Sequence, residues 1–225
     1  MTSFVEDTMS YLRQNRALPE LYHFSWNGLE FIGLNSVFAP KIFEDSFFFA
    51  ESLTSIETRH FLEIGCGTGL ISVHKALQGS RVTASDVNPD AVRNTRMNSI
   101  LHGVDDLVTC VVSDVFEKID NLTAFDCMFW NIPFQFSESP VTDMLERSCF
   151  SFGYDDIRTF FEGAKVIISS GGRALFGYSA DSGDSSKLDE CLASLRLCKV
   201  CISQRNLSKP SESPFRVGLY EVRVQ

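Results

Sequence analysis

The stretch His60–Val73, HFLEIGCGTGLISV, decides how the rest of the chain is read. Five mostly apolar residues of strand character run into glycines at alternate positions, Gly65, Gly67 and Gly69, and a helical pattern begins at about Leu70. Glycine lets a turn run close to a bound group, and a helix that starts there offers unpaired amides and the positive end of its dipole. The turn is not the dinucleotide fingerprint, because Leu70 stands where the third glycine of G-x-G-x-x-G belongs.

Downstream, strand and helix patterns alternate. RVTASD (81–86) reads as a strand followed by a helix from about Pro89 to His102; LVTCVVSD (107–114) and FDCMFWN (125–131) read as further strands. A helix near 155–169, the strand RALFGYS (173–179), a helix near 185–197 and two closing segments complete the series. Strands too apolar to have a solvated face imply a parallel sheet covered by helices on both sides. The closing segments, joined by SKPSESP (208–214), read as an antiparallel pair at one edge.

Upstream, residues 3–17 carry Phe4, Val5, Tyr11 and Leu12 among polar residues, an amphipathic helix that stops before Pro19 and lies across the domain as a cover. Asn27-Gly28 sits between two partly alternating runs, the pattern of a β-hairpin. No internal repeat or long linker divides the 225 residues, so a single domain is expected: residues 1–55 as helix, hairpin and pocket-covering segment, and residues 56–225 as the core.

Composition narrows the function classes. With 29 acidic and 20 basic residues the formal charge is -9, which opposes non-specific attraction to nucleic acid. The seven cysteines, an odd number scattered through apolar segments, fit reduced thiols in a cytoplasmic protein. Cys198 and Cys201 form a C-x-x-C with neither a second pair nor a nearby histidine, so no metal is expected. Nowhere do eighteen apolar residues run together, which argues against a membrane span.

In an open α/β sheet, ligands sit beyond the carboxyl ends of the strands, so the residues that end each strand are the candidates. Glu63 is an acid in an apolar strand, where burial without a partner is costly; a ligand ammonium fits. Asp86, followed by Val87, ends the second strand about twenty residues after the glycines, the place of a carboxylate that accepts from ribose hydroxyls. Both Asp86 and Asp114 also admit a plainer role as helix caps. Asn131 closes the fourth strand on a polar amide, and Pro133 fixes the turn beyond it. Tyr178 ends the fifth strand on the same rim.

These residues resemble the class I S-adenosylmethionine-dependent methyltransferases over about residues 30–225: FLEIGCGTG, an acid after the second strand, an acid after the third, and a seven-stranded Rossmann-like ending. Within them, FWNIPF (129–134) resembles the N-P-P-[YF] signature of enzymes that methylate amide or amino nitrogens, such as release-factor glutamine methyltransferases. The segment VFAPKIFEDSFFFAESL (37–53) resembles the one that precedes their glycine turn. By that resemblance Glu63 and Gly65, Gly67 and Gly69 hold the methionine moiety of S-adenosylmethionine, Asp86 the ribose, and Asp114 with Val115 the adenine. Asn131 and the Ile132 carbonyl then grip the target nitrogen, and Phe134 stacks on the acceptor or faces the sulfonium, with Phe47, Phe48 and Phe49 as further walls.

Two departures bear on substrate. Ile132 replaces the first proline of the signature, and only about twenty helix-like residues precede the hairpin where release-factor enzymes carry a helical domain. The implied acceptor is a small-molecule or protein nitrogen. A second reading makes S-adenosylmethionine the sole substrate, as in the similar azetidine-2-carboxylate synthases, with Asn131 orienting its amine, Phe134 or Tyr178 steadying the sulfonium, and methylthioadenosine released. A third makes the chain a cofactor-binding partner subunit without turnover.

Overall fold

The computed structural model describes residues 2–207 and 215–225. The elements run α1 (Thr2–Arg16), β1 (Leu21–Trp26), β2 (Leu29–Leu34), α2 (Asp45–Leu53), β3 (His60–Ile64), α3 (Leu70–Leu77), β4 (Arg81–Asp86), α4 (Pro89–Leu101), β5 (Val108–Val112) and β6 (Cys127–Asn131). They continue as β7 (Gln135–Ser137), β8 (Phe150–Phe152), α5 (Asp155–Ser169), β9 (Arg173–Tyr178), α6 (Ser185–Ser194), β10 (Leu197–Leu207) and β11 (Phe215–Val224). The polar link at 208–214 lies outside the described residues.

Seven strands form one sheet in the order β10-β11-β9-β6-β3-β4-β5. Strands β3, β4, β5, β6 and β9 are parallel, and β11 and β10 close one edge antiparallel, as the sequence implies. The central strands are apolar on both faces because both are covered. Phe61, Val82, Phe129 and Leu175 pack with residues of the hairpin, α2 and α3. Leu62, Ile64, Met128, Trp130 and Phe176 pack with α5 and α6 on the other face.

From β3 the chain steps outward through β4 to β5, then returns to place β6 on the opposite side of β3. Strand order therefore reverses between β3 and β6, and a crevice opens beyond their carboxyl ends. Residues Gly65–Gly69 leave one of these ends and Asn131 closes the other.

Buried amides fasten the cover elements. On α4, Asn94 accepts from the Leu34 amide at 2.9 Å and donates to the Ile32 carbonyl at 2.8 Å, while Asn98 accepts from the Ile32 amide and donates to the Thr68 carbonyl, each at 2.8 Å. The two side chains thus extend the hairpin's ladder sideways and link it to the glycine turn. On α1, the fully buried Asn15 accepts from the Ala39 amide at 2.8 Å and donates to the Val37 carbonyl at 3.0 Å. Burying an amide is favourable only when its donors and acceptor are matched, as they are here.

Three elements do not show in the sequence. Helix α2 lies inside the run FEDSFFFAESL, where consecutive aromatics hide the helical period. The three-residue ladder of β7 with β8 is parallel and closes an excursion over residues 138–149, which folds back above the crevice.

Candidate active site

The glycine turn stands on a specific backbone requirement. Gly69 is the N-cap of α3 with φ 80°, and a Cβ there would lie 2.8 Å from the Thr95 Cα, so conformation and space both exclude a side chain. Gly69 serves the turn itself; Gly65, Cys66, Gly67 and Thr68 form the wall of the first cavity.

That cavity is also lined by Glu63, Asp86, Val87, Asp114, Val115, Asn131 and Pro133. The expected cofactor residues other than Gly69 therefore meet in one place. Trp130 and Phe49 supply apolar wall, whereas Phe48 is buried in the core and Phe47 packs against that core.

Asp86 accepts from the Gly67 amide at 3.0 Å through one oxygen and from the Asn88 amide at 2.9 Å through the other. The cap of α4 is Asn88, whose side chain accepts from the Asp90 amide. The plainer capping role thus falls to Asn88, and each Asp86 oxygen keeps a lone pair for a ligand hydroxyl. Desolvation raises its pKa to about 6, opposed by the two amides. Substituting Asp86→Ala removes an acceptor of ligand hydroxyls, and S-adenosylhomocysteine binding followed by calorimetry is expected to weaken about 30-fold. Unchanged affinity would remove Asp86 from the site.

Glu63 is buried, and the Ser72 hydroxyl donates to it. Burial is the dominant influence and pushes its pKa to about 8. No cationic side chain offsets that burial in the ion pairs of the described residues. A cationic ligand group next to it would be strongly favoured.

Asp114 is not a helix cap, since no helix follows β5 directly; it pairs with Arg147 at 3.0 Å from the 138–149 excursion. Val115 has φ 44°, a left-handed conformation that is strained for a β-branched residue, and it is buried in the cavity wall.

A second cavity of about 400 Å³ adjoins the first, and Asn131, Phe38 and Ser148 line both. Ile132, Phe134, Gln135, Asp45 and Phe43 form its walls, and Thr8 and Tyr11 of α1 contribute a roof. The N-terminal helix is thus a cover, as its pattern suggests. Phe134 lines this second cavity. Tyr178 lines neither cavity: it is fully buried, its ring meets Phe134 edge-on at 6.1 Å, and its hydroxyl contacts Ser185 at 3.2 Å. Its place is behind Phe134, supporting that ring.

At the junction, the Asn131 Nδ2 donates to Asp45 at 3.0 Å, and its Oδ1 is buried with no hydrogen-bond partner. In register with Asn131 on the next strand is Gly177, where a Cβ would fall 2.8 Å from that oxygen; glycine leaves the amide its space. Asp45 is buried and its pKa is raised by desolvation to about 6, with the Asn131 bond acting in the opposite sense. Sequence reading missed Asp45 and Gln135. An acid at the start of a helix ordinarily signals only the dipole, and the sole clue was that two acids, Glu44 and Asp45, precede three phenylalanines.

Comparison with known proteins agrees with this geometry. The methyltransferase small domain family matches residues 28–199. A relative in Methanocaldococcus jannaschii that carries the name protein N5-glutamine methyltransferase is 31% identical over 56% of this chain and 65% of its own. The release factor glutamine methyltransferase of Aquifex aeolicus is 38% identical over 32% of this chain and 26% of its own. The chain thus spans less than two thirds of either curated relative. A 16S rRNA methyltransferase of T. thermophilus, solved with AdoMet and guanosine, shares the fold with a TM-score of 0.59 at 16% identity, over 91% of this chain and 50% of that one. Among the described residues no helix is long and apolar enough to cross a membrane. With the family match extending from the hairpin into β10, the chain belongs to the methyltransferase small domain family.

Proposed function

We propose that this chain is an S-adenosylmethionine-dependent N-methyltransferase acting on an amide or amino nitrogen held at Asn131. The observation that carries this reading is the Asn131 side chain at the junction of two cavities, with its N–H group committed to Asp45 and its oxygen left over. Names of the two relatives, both glutamine methyltransferases, support a nitrogen target.

The first cavity fits the methyl donor by the chemistry of its groups: a buried acid for an ammonium, a carboxylate with spare lone pairs for ribose hydroxyls, and a strained backbone at Val115 beside Asp114 for a base. When bound, S-adenosylmethionine supplies an electrophilic methyl carbon on a sulfonium and leaves as S-adenosylhomocysteine. The chain's own residues hold the nitrogen. An NH group pointed at the Asn131 oxygen turns its lone pair away from that acceptor and toward the cofactor side, which is a positioning contribution. Asp45 fixes the amide so that oxygen rather than NH2 is offered, and it is the nearest carboxylate to accept the proton that nitrogen sheds.

The test is acceptor dependence: purified protein is incubated with S-adenosylmethionine and either a glutaminyl peptide or a panel of primary amines, and S-adenosylhomocysteine is measured. Release that requires an acceptor is expected. Its absence with every nitrogen acceptor would count against N-methyl transfer.

A further inference from the structure

The second cavity is lined by two acids, Glu44 and Asp45, and two amides, Asn131 and Gln135, with neutral hydroxyls as its other polar side chains. Gln135 is buried, and its Nε2 donates to the Thr8 hydroxyl and to Ser182 at 2.9 Å, which leaves its Oε1 without a partner. Asn131 repeats this pattern, its N–H given to Asp45 and its Oδ1 unpartnered. Asp45 adds a carboxylate, and none of the described lining residues is Lys, Arg or His. A cavity with two orphan amide oxygens and a buried acid is matched by a group that only donates.

The remaining wall is aromatic. Phe38 stacks on Phe43 with centroids 4.1 Å apart, Tyr11 meets Phe43 at 5.7 Å, and Phe134 also lines the cavity. Rings present a negative face to a cation and a large apolar surface to its carrier. The roof is tied down, since Gln135 binds Thr8 and reaches the Phe4 carbonyl at 3.4 Å, both on α1. A cavity of about 400 Å³ under that roof is of the size that takes a small molecule.

Resting on the N-methyltransferase reading, we propose that the acceptor is a small-molecule primary amine, bound as its ammonium, on an aromatic or branched apolar body. Its nitrogen is held by Asp45, the Asn131 Oδ1 and the Gln135 Oε1. The bound ammonium first gives one proton to the Asp45 carboxylate, and the freed nitrogen lone pair then forms the N–C bond as the C–S bond breaks, with that bond's electron pair staying on sulfur. The proton on Asp45 passes to solvent and the product leaves as the methylated ammonium, so charge balances without any other reactant.

Calorimetry with 2-phenylethylamine and with its neutral counterpart phenylacetamide, each titrated into protein saturated with S-adenosylhomocysteine, tests this. The amine is expected to bind at least about tenfold more tightly than the amide, and Asp45→Asn to abolish that preference while phenylacetamide affinity stays within about twofold. Gln135→Leu, checked for intact S-adenosylhomocysteine binding, is expected to lower amine affinity selectively as well. Equal or tighter binding of the amide by the unaltered protein, or equal losses for both ligands in Asp45→Asn, would overturn the proposal. The two readings fail separately. Selective amine binding without S-adenosylhomocysteine production from S-adenosylmethionine keeps the amine site and removes methyl transfer; transfer to a glutaminyl peptide without amine binding does the reverse.

Discussion

Asn131→Ala is expected to lower kcat by about 10²- to 10³-fold, the loss typical when one preorganised polar contact to the reacting group is removed. S-adenosylhomocysteine affinity should change by less than about threefold, because the groups assigned to the cofactor, Glu63, Asp86, Asp114 and Val115, are untouched. The reason for so large and selective an effect is that the substitution removes the buried Asn131 oxygen that has no other partner and also the side chain that Asp45 holds in place. Rapid-quench measurement of a single turnover separates this from slow product release. Turnover near the unaltered rate would mean that the buried oxygen is not what positions the acceptor.

Glu63 gives the largest expected effect on stability. Its folded pKa, about 8, lies above the ordinary carboxylate value because burial opposes charge. Below about pH 4.5 the group is protonated in both folded and unfolded chains and contributes no penalty. Between about pH 4.5 and 8 the unfolded chain ionises while the folded one stays neutral, so stability falls as pH rises, by on the order of 5 kcal/mol in total. Above that window both forms are charged and the penalty is constant. Glu63→Gln keeps an acceptor for Ser72 and removes the titration, so its stability advantage over the unaltered protein should grow through that window in urea denaturation. Parallel stability curves would show that Glu63 ionises normally. A bound cation would reverse the preference, so ligand binding at neutral pH should release a proton from the protein.

What the sequence made legible was whatever local backbone chemistry dictates. Three glycines at alternate positions, strands apolar on both faces, and polar residues placed at strand ends located the crevice and brought Glu63, Asp86, Asp114, Val115 and Asn131 together there. What it hid depends on contacts between distant segments. Asp45 acquires its role from a partner 86 residues away, and its helix was masked by a run of phenylalanines without helical spacing. Gln135 looks like any polar residue after a turn until α1 and Ser182 take its N–H groups and leave its buried oxygen without a partner beside the cavity. Tyr178 shows the converse: strand position put it on the active rim, but alternation along β9 and the bulk of Phe134 turned it into a support.

The central claim is that a nitrogen of a second molecule, held at Asn131, receives the methyl group. Mass spectrometry of products formed from methyl-13C-labelled S-adenosylmethionine tests it most directly, in parallel reactions with and without an amine or glutaminyl acceptor. The predicted result is label on the acceptor nitrogen together with S-adenosylhomocysteine, and no turnover when the acceptor is withheld. Labelled methylthioadenosine formed from S-adenosylmethionine alone, at a rate that an acceptor does not change, would contradict it.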